Sequence, residues 1–284
     1  MGARSAIDGG AVLVTGASSG IGTAIARQVA PRAKALVLVA RRAERLEALA
    51  AELRAAHAGL RVEVIPCDLA RRDQLDVLVA AVRDRGLEVD VLVNNAGVGM
   101  MGVFDRASAE RAAFMIDLNV TSLALLTSAF LPGMVARGRG GVLNVSSGFG
   151  LAVMPTFAAY CGTKHFVTGF AEGLVADLAG TGVTATQVCP GPVATEFEET
   201  MGNFTGAKAP AFVEISAEHC ARAALAGFDR GRALVVPGAA MKLILLVNAL
   251  TPRWVRRAFA SLVGRSARRR QLAAEATGGD VDPA

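Results

Sequence analysis

The stretch Ala11-Val12-Leu13-Val14-Thr15-Gly16-Ala17-Ser18-Ser19-Gly20-Ile21-Gly22 decides the fold of this chain. A short apolar run ends at Thr15 and enters a turn with three glycines. Helical patterning then runs from Ile21 to Ala30, which places the glycines in a strand-to-helix turn. Glycine suits such a turn because a side chain would block both the tight bend and the approach of backbone N–H groups to a pyrophosphate. The positive end of the following helix attracts the same anion. Taken alone, the turn leaves an ordinary connection as the lesser alternative.

Working outward, further apolar runs recur at Leu36 to Ala40, Val62 to Ile65, Val89 to Val93, Gly141 to Val145, Thr184 to Val188 and Ala233 to Val236, each followed by helix-period sequence. Seven short buried strands alternating with helices predict an α/β fold. It is a doubly wound, Rossmann-like, mostly parallel seven-stranded sheet with helices on both faces. Its length of 284 residues suits one large domain, expected over residues 1–272. Apolar residues form 52% of the chain and aromatics only 5%, so Ala, Val and Leu must build the interior.

The net charge of +5 is small and, apart from the Arg cluster between Arg253 and Arg270, shows no basic stripe interleaved with aromatics, which argues against a nucleic-acid partner. Cys67, Cys161, Cys189 and Cys220 are widely separated and form no metal-ligand spacing, so no metal site is expected. Their reading as reduced, mostly buried thiols fits a cytoplasmic protein. The first ten residues lack the apolar core of a secretion signal, and no run of roughly 18 apolar residues occurs.

The end of the second strand reads Ala40-Arg41-Arg42, where dinucleotide-binding folds often carry a carboxylate for the adenosine ribose. A carboxylate would repel a 2′-phosphate, whereas Arg offers it charge-assisted donors, so NADP(H) is favoured over NAD(H). The alternative is that both arginines simply open a solvated helix. Asp68, followed by Leu69 after strand three, sits where a loop could reach adenine or where the next helix could be capped. After strand four, Asn94-Asn95-Ala96-Gly97 closes another turn.

The single Tyr of the chain is Tyr160, with Lys164 four residues later. On a helix these positions share a face, which sets an ammonium beside a phenol. A neighbouring cation favours the phenolate and brings the phenol toward a working range for acid and base catalysis. The bland alternative is a structural Tyr packed by an aliphatic Lys stem.

With these residues in view, the sequence resembles the short-chain dehydrogenase/reductase family over about Ala11 to Thr195. Thr15 to Gly22 matches the TGxxxGxG turn, Asn94 to Gly97 matches NNAG, and Tyr160 with Lys164 matches YxxxK. Ser147, thirteen residues before Tyr160, matches the catalytic Ser, and Asn119 matches the family's helix Asn. Pro190-Gly191-Pro192-Val193-Ala194-Thr195 matches PGxxxT.

What the resemblance implies is a division of roles around NADP(H). Tyr160 would protonate a carbonyl oxygen that Ser147 holds, Lys164 would bind ribose hydroxyls and lower the Tyr pKa, and Asn119 would hold a water. Thr15, Gly16, Ser18, Ser19, Gly20, Ile21 and Gly22 would cradle phosphates, with Arg41 preferred to Arg42 for the 2′-phosphate. Asp68, Leu69, Asn95, Ala96 and Gly97 would line the adenosine side, and Pro190, Gly191, Val193 and Thr195 the nicotinamide. Ser146 is the rival to Ser147, and the thirteen-residue spacing favours Ser147. Homodimers or homotetramers are common in the family.

The segments that would surround the reacting carbon, Gly148 to Met154 and Val98 to Met101, carry no charge. An apolar small-molecule carbonyl or alcohol is the expected substrate. Phe197 to Phe212 is read as a substrate lid. From about residue 239 a helical extension begins, and Met241 to Gly264 mixes apolar residues with Arg and Trp254. Packing on the protein's own core or a partner subunit is favoured there over contact with an anionic membrane surface. Residues 273–284 are expected to be a disordered tail. The competing functions are another reaction on the same fold, such as an enoyl reduction, a non-catalytic NADP(H)-binding sensor or scaffold, and a membrane-associated lipid-type reductase.

Overall fold

Alternation along strand β1 (Ala11–Thr15) shows how the protein is layered. Val12 and Val14 point into one apolar cluster and Ala11 and Leu13 into another, on opposite faces of the sheet. Residues buried on both faces need no polar alternation, which is why these strands read as continuous apolar runs. The computed structural model describes residues 5–197, 201–202 and 210–276. The remainder of the interval read as a lid, and residues 277–284 of the expected tail, lie outside the described residues.

The seven-stranded sheet is parallel throughout, in the order β3-β2-β1-β4-β5-β6-β9, with β2 (Ala35–Ala40), β3 (Arg61–Pro66), β4 (Val91–Asn94), β5 (Gly140–Val145), β6 (Val183–Val188) and β9 (Leu234–Val235). Helices α1 (Gly20–Val29), α2 (Ala43–Ala56) and α7 (Ala217–Asp229) cover one face, with buried Ile25, Leu46 and Cys220 in its cluster. Helices α3 (Arg72–Asp84), α5 (Ser122–Ala136) and α6 (Ala158–Asp177) cover the other, with Leu78, Leu126 and Leu174. The chain winds outward from β1 to β3, then returns to lay β4 beside β1 and winds the opposite way. The carboxyl ends of β1 and β4 therefore part at a crevice, where open sheets bind ligands.

Two short strands outside that sheet, β7 (Val193–Ala194) and β8 (Ile215–Ser216), pair with each other. Two-residue strands leave no periodicity to read, so neither was expected from sequence. Helix α4 (Ala109–Ile116) runs through a π-helical turn, Asp117–Thr121, into α5. This continuous run is the one helix among the described residues long and apolar enough to cross a membrane by composition, although no uninterrupted apolar run was found in the sequence. It packs on the sheet instead. Helices α8 (Ala239–Leu250) and α9 (Arg253–Ala276) form a C-terminal arm. The tail boundary expected at residue 273 thus falls inside α9, because Gln271 is buried and accepts a bond from the Val103 amide at 2.8 Å.

Asp90 anchors the amino end of the sheet. It is buried, its carboxylate accepts from the Ala11 amide at 2.9 Å, and its backbone links β1 and β5. Asp90→Ala should lower unfolding free energy by about 2 kcal/mol, since a buried amide loses a charged acceptor. Urea titration measures this, and a change below about 0.5 kcal/mol would remove Asp90 from the framework.

Candidate active site

The crevice is laced shut at its base. The buried Thr15 hydroxyl donates to the Val93 carbonyl at 3.1 Å and accepts from the amides of Asn95 at 2.9 Å and Ala96 at 3.0 Å. The Asn95 side chain donates to the carbonyls of Thr15 at 2.9 Å and Gly16 at 3.3 Å. Asn95 thus serves the shape of the turn through its amide nitrogen, rather than presenting that group to a ligand.

The glycines around it are required by contact. Gly16 has φ +65°, and a Cβ there would sit 2.9 Å from Ala96 Cα. At Gly22 a Cβ would collide with the Gly16 carbonyl, and at Gly20 it would lie 2.9 Å from Thr195 Cγ2. Ser19, at the helix cap, makes no side-chain bond to the first turn of α1, whose amide groups point into the crevice mouth uncapped by a side chain. Ile21 is half-buried against the core and orients that first turn. A cradle without side chains, at a helix N-terminus and a topological switch point, fits a pyrophosphate.

The two arginines after β2 part company. Arg42 lies over the glycine turn, donating from Nε to Ser18 Oγ at 3.2 Å and from Nη2 to Ser19 Oγ at 2.8 Å. Its Nη1 donates to Glu196 at 2.8 Å, and Arg45 donates to the same carboxylate at 2.6 Å. These partners hold the Glu196 carboxyl below its ordinary range. Arg41 instead stacks over the Phe114 ring, 5.5 Å from its centroid. The sequence order preferred Arg41 as the phosphate ligand, whereas Arg42 is the residue that touches the turn, because the cap position of α2 aims its side chain back across the crevice.

In the loop after β3, Asp68 does not cap α3. The cap is Arg71, while Asp68 accepts from the Ala70 amide at 3.2 Å and stays half-buried. Leu69 is buried beneath it.

Tyr160 and Lys164 share one face of α6 and both are buried, at 5% exposure each. The Tyr160 hydroxyl bonds the Ser147 side chain, which favours the phenolate, but burial dominates and holds the phenol above its ordinary value. Lys164 Nζ lies 5.9 Å from the Tyr160 ring centroid and donates to the Val145 carbonyl at 2.9 Å. Burial pushes its pKa down to about 8. The lowering of the phenol expected from Lys164 does not appear: burial raises the phenol, and the bond to Ser147 is what opposes it.

Ser146 turns the other way and bonds the Lys164 carbonyl at 3.1 Å and Thr168 at 3.2 Å. Asn119 sits in the π-helical turn, a local widening that brings its amide inward. Its Oδ1 accepts from the Val98 amide and its Nδ2 donates to the Val98 carbonyl, both at 2.9 Å. The same Nδ2 donates to Thr163 Oγ1 at 3.1 Å, so Asn119 ties the loop after β4 to α6. Thr163 was not singled out in the sequence, since a lone Thr inside a helix carries no signal. Gly97 leaves room between Asn119 and Lys164: a Cβ there would lie 3.0 Å from Asn119 Oδ1 and 3.5 Å from Lys164 Nζ.

The third wall is the segment after β6. The Pro190 carbonyl accepts from the Gly148 amide at 2.7 Å and so positions the Ser147 loop. Gly191 lies under Met241 of α8, and Val193 is buried in β7. Thr195 accepts from the Phe197 amide at 3.3 Å. Phe197 in turn packs on Tyr160 at 5.7 Å between ring centroids, and Phe149 and Phe157 approach the same ring at 6.2 and 6.4 Å. Met100, Met101, Met115 and Met201 belong to the same apolar cluster as Tyr160. Glu196 went unnoticed in the sequence, because no spacing rule relates it to Arg42.

The family profile described as short chain dehydrogenase matches residues 10–205. The chain is 40% identical to a granaticin polyketide synthase putative ketoacyl reductase from Streptomyces violaceoruber, over 66% of this chain and 69% of that protein. It is 39% identical to the NADP-dependent 3-hydroxy acid dehydrogenase YdfG of Salmonella typhi, over 66% and 74%. Among solved structures, a short-chain dehydrogenase from Sphingobium yanoikuyae in complex with NADPH superposes with TM-score 0.74 at 35% identity, covering 84% of this chain and 93% of that one. The bulky-bulky ketone specific alcohol dehydrogenase from Comamonas testosteroni gives 0.72 at 29%, covering 84% and 91%.

Lys164 makes stability depend on pH in a defined direction. With a folded pKa of about 8 against an ordinary 10.5, the unfolded chain holds the proton more tightly between those values. Wild type should therefore gain stability relative to Lys164→Met as pH rises through that window, by up to about 3 kcal/mol, with no relative change below it. Urea titrations of both proteins measure the difference, in which the contributions of Tyr160 and the thiols, common to both, cancel. Parallel curves would mean that the ammonium is solvated.

Proposed function

This chain belongs to the short-chain dehydrogenase/reductase family, and on that footing we propose that it is an NADP(H)-dependent oxidoreductase interconverting an apolar ketone or aldehyde and its alcohol. The observation that carries the reading is the Tyr160 hydroxyl, bonded to Ser147 and one helical turn from Lys164, at the floor of a crevice whose mouth is a side-chain-free anion cradle.

The residues present suit the cofactor. Gly16, Gly20, Gly22 and the first turn of α1, with Ser18 and Ser19, would take the pyrophosphate. Arg42, and Arg41 beside it, would take the 2′-phosphate, and Thr195 with Gly191 and Val193 would border the nicotinamide. When bound, NADPH supplies a hydride to the carbonyl carbon. Ser147 donates a hydrogen bond to the carbonyl oxygen and fixes it beside Tyr160, which transfers the phenolic proton to that oxygen. A Lys164 ammonium beside the phenol stabilises the charge left on Tyr160. Asn119 holds the loop at Val98 against α6 and offers its remaining Oδ1 lone pair to a water that returns the proton. In the oxidising direction Tyr160 takes the alcohol proton.

The relatives are reductases and dehydrogenases, which supports catalysis over a cofactor-binding sensor. The cluster of Phe and Met around Tyr160 supports an apolar substrate, as does similarity to an enzyme specific for bulky-bulky ketones. Four free buried cysteines support a reducing compartment, the cytoplasm. The stacked pair Phe166 and Phe170 on α6, with Phe166 exposed, supports a homodimer or homotetramer.

Three outcomes test the reading. Tyr160→Phe should lower turnover of a ketone panel by roughly 10³-fold while NADPH still binds, and turnover surviving the change would sink the mechanism. Arg42→Ala should raise KM for NADPH by about tenfold to a hundredfold and leave NADH nearly unchanged; equal effects on both would deny it the phosphate. Phe197→Ala should raise kcat/KM for bulky ketones relative to small ones, since it removes the ring packed on Tyr160 and opens space there. A uniform loss across sizes would place Phe197 in folding rather than selection.

A further inference from the structure

Helix α8 has the sequence AAMKLILLVNAL, yet among its residues only Met241 and Leu245 are buried. Leu243, Ile244, Leu246, Val247 and Leu250 stand exposed, Leu250 at 76%. The next helix adds exposed Trp254 at 74%, Phe259 and Leu262. An apolar helix bare over most of its circumference calls for a covering surface. Packing on the protein's own core, favoured from sequence, accounts for one stripe: Met241 fills the space above Gly148 and Gly191. The arm also lies beyond residue 205, where the family profile ends, so the family match does not account for it.

Charge indicates the covering surface. Residues 239–276 carry eight cations, Lys242 and seven arginines, against one acid, Glu275, although the whole chain is only +5. Lys242, Arg253, Arg257, Arg269 and Arg270 are exposed and make no ion pair among the described residues. Along α9, Trp254, Arg257, Ala258, Ser261, Leu262 and Arg265 recur at offsets of three, four, seven, eight and eleven, which sets them on one face. A two-fold contact between two such arms would oppose like charges across the joint. A face of Trp and Leu interleaved with Arg has the composition that seats a helix at the headgroup level of an anionic bilayer.

We propose that α8 and α9 form a docking surface for an anionic phospholipid membrane, lying in its interface without spanning it. The arm is fastened to the loops that rim the crevice. Asn248 donates to the Leu151 carbonyl at 3.4 Å, Arg268 pairs with Asp105 at 2.7 Å, and Glu275 pairs with Arg106 at 2.8 Å. Exposed Val153 and Met154 extend the apolar surface on the Leu151 loop. Docking thus carries the substrate loops to the membrane surface. That consequence for an apolar substrate rests on the redox reading, whereas the docking itself does not.

Trp254 is the only Trp in the chain, so tryptophan emission reports on the arm alone. Full-length protein mixed with vesicles of equal parts phosphatidylcholine and phosphatidylglycerol at low salt should co-sediment and shift its emission to the blue. Pure phosphatidylcholine should produce neither, and about 0.5 M NaCl should reverse both. Arg257→Gln and Arg265→Gln should each weaken vesicle affinity by about fivefold, and Leu250→Asn should reduce the blue shift. No co-sedimentation on anionic vesicles would overturn the proposal. So would a blue shift that follows protein concentration alone with a matching rise in mass by ultracentrifugation, which would assign the face to a second copy. Ketone reduction is read separately, so failure of docking and failure of the redox reading are distinguishable.

Discussion

One hydroxyl joins the two halves of this protein where they diverge. Thr15 closes β1, donates to the end of β4 and receives two amides from the turn that follows. Asn95 returns the bond to the glycine turn. Without this cross-lacing the carboxyl ends of β1 and β4 would hold their loops independently, and the crevice would have no fixed width. Its tightness also explains why Gly16 and Gly22 tolerate no side chain: the space a Cβ would need belongs to Asn95 and Ala96 or to the turn's own backbone.

The chemistry depends on a second constraint, the burial of an ammonium with no carboxylate beside it among the described residues. Lys164 is held by one backbone carbonyl and loses much of its preference for the charged state. Tyr160, equally buried, is pushed the opposite way. Desolvation thus moves a strong base down and a weak acid up, and only hydrogen bonds such as that from Ser147 oppose it for the phenol. Phe149, Phe157 and Phe197 pack around the Tyr160 ring and contribute to that desolvation.

Much of this was legible in the sequence because it rests on local rules. The seven apolar runs correspond to the seven strands, most with ends shifted by a residue or two, since strands covered on both faces leave no ambiguity of pattern. The four-residue spacing of Tyr160 and Lys164 put them on one helical face, and the resemblance to the family favoured Ser147 over Ser146. The rest was illegible for particular reasons. The pair β7 and β8 is too short to show alternation. Glu196 meets Arg42 across more than 150 residues. Arg41 and Arg42 are chemically identical, and only the cap geometry of α2 and the position of Phe114 separate them.

The sequence by itself determined the order of strands and helices, the glycine turn and the placing of Tyr160 and Lys164 on one helical face, because each follows from period, steric need or motif within a few dozen residues. Tertiary structure decided which arginine reaches the turn, how far burial shifts Tyr160 and Lys164, and that α8 buries one stripe and leaves the rest bare. Those outcomes depend on what lies across a crevice or over a helix face, and proximity of that kind arises only when distant segments of the chain are packed together.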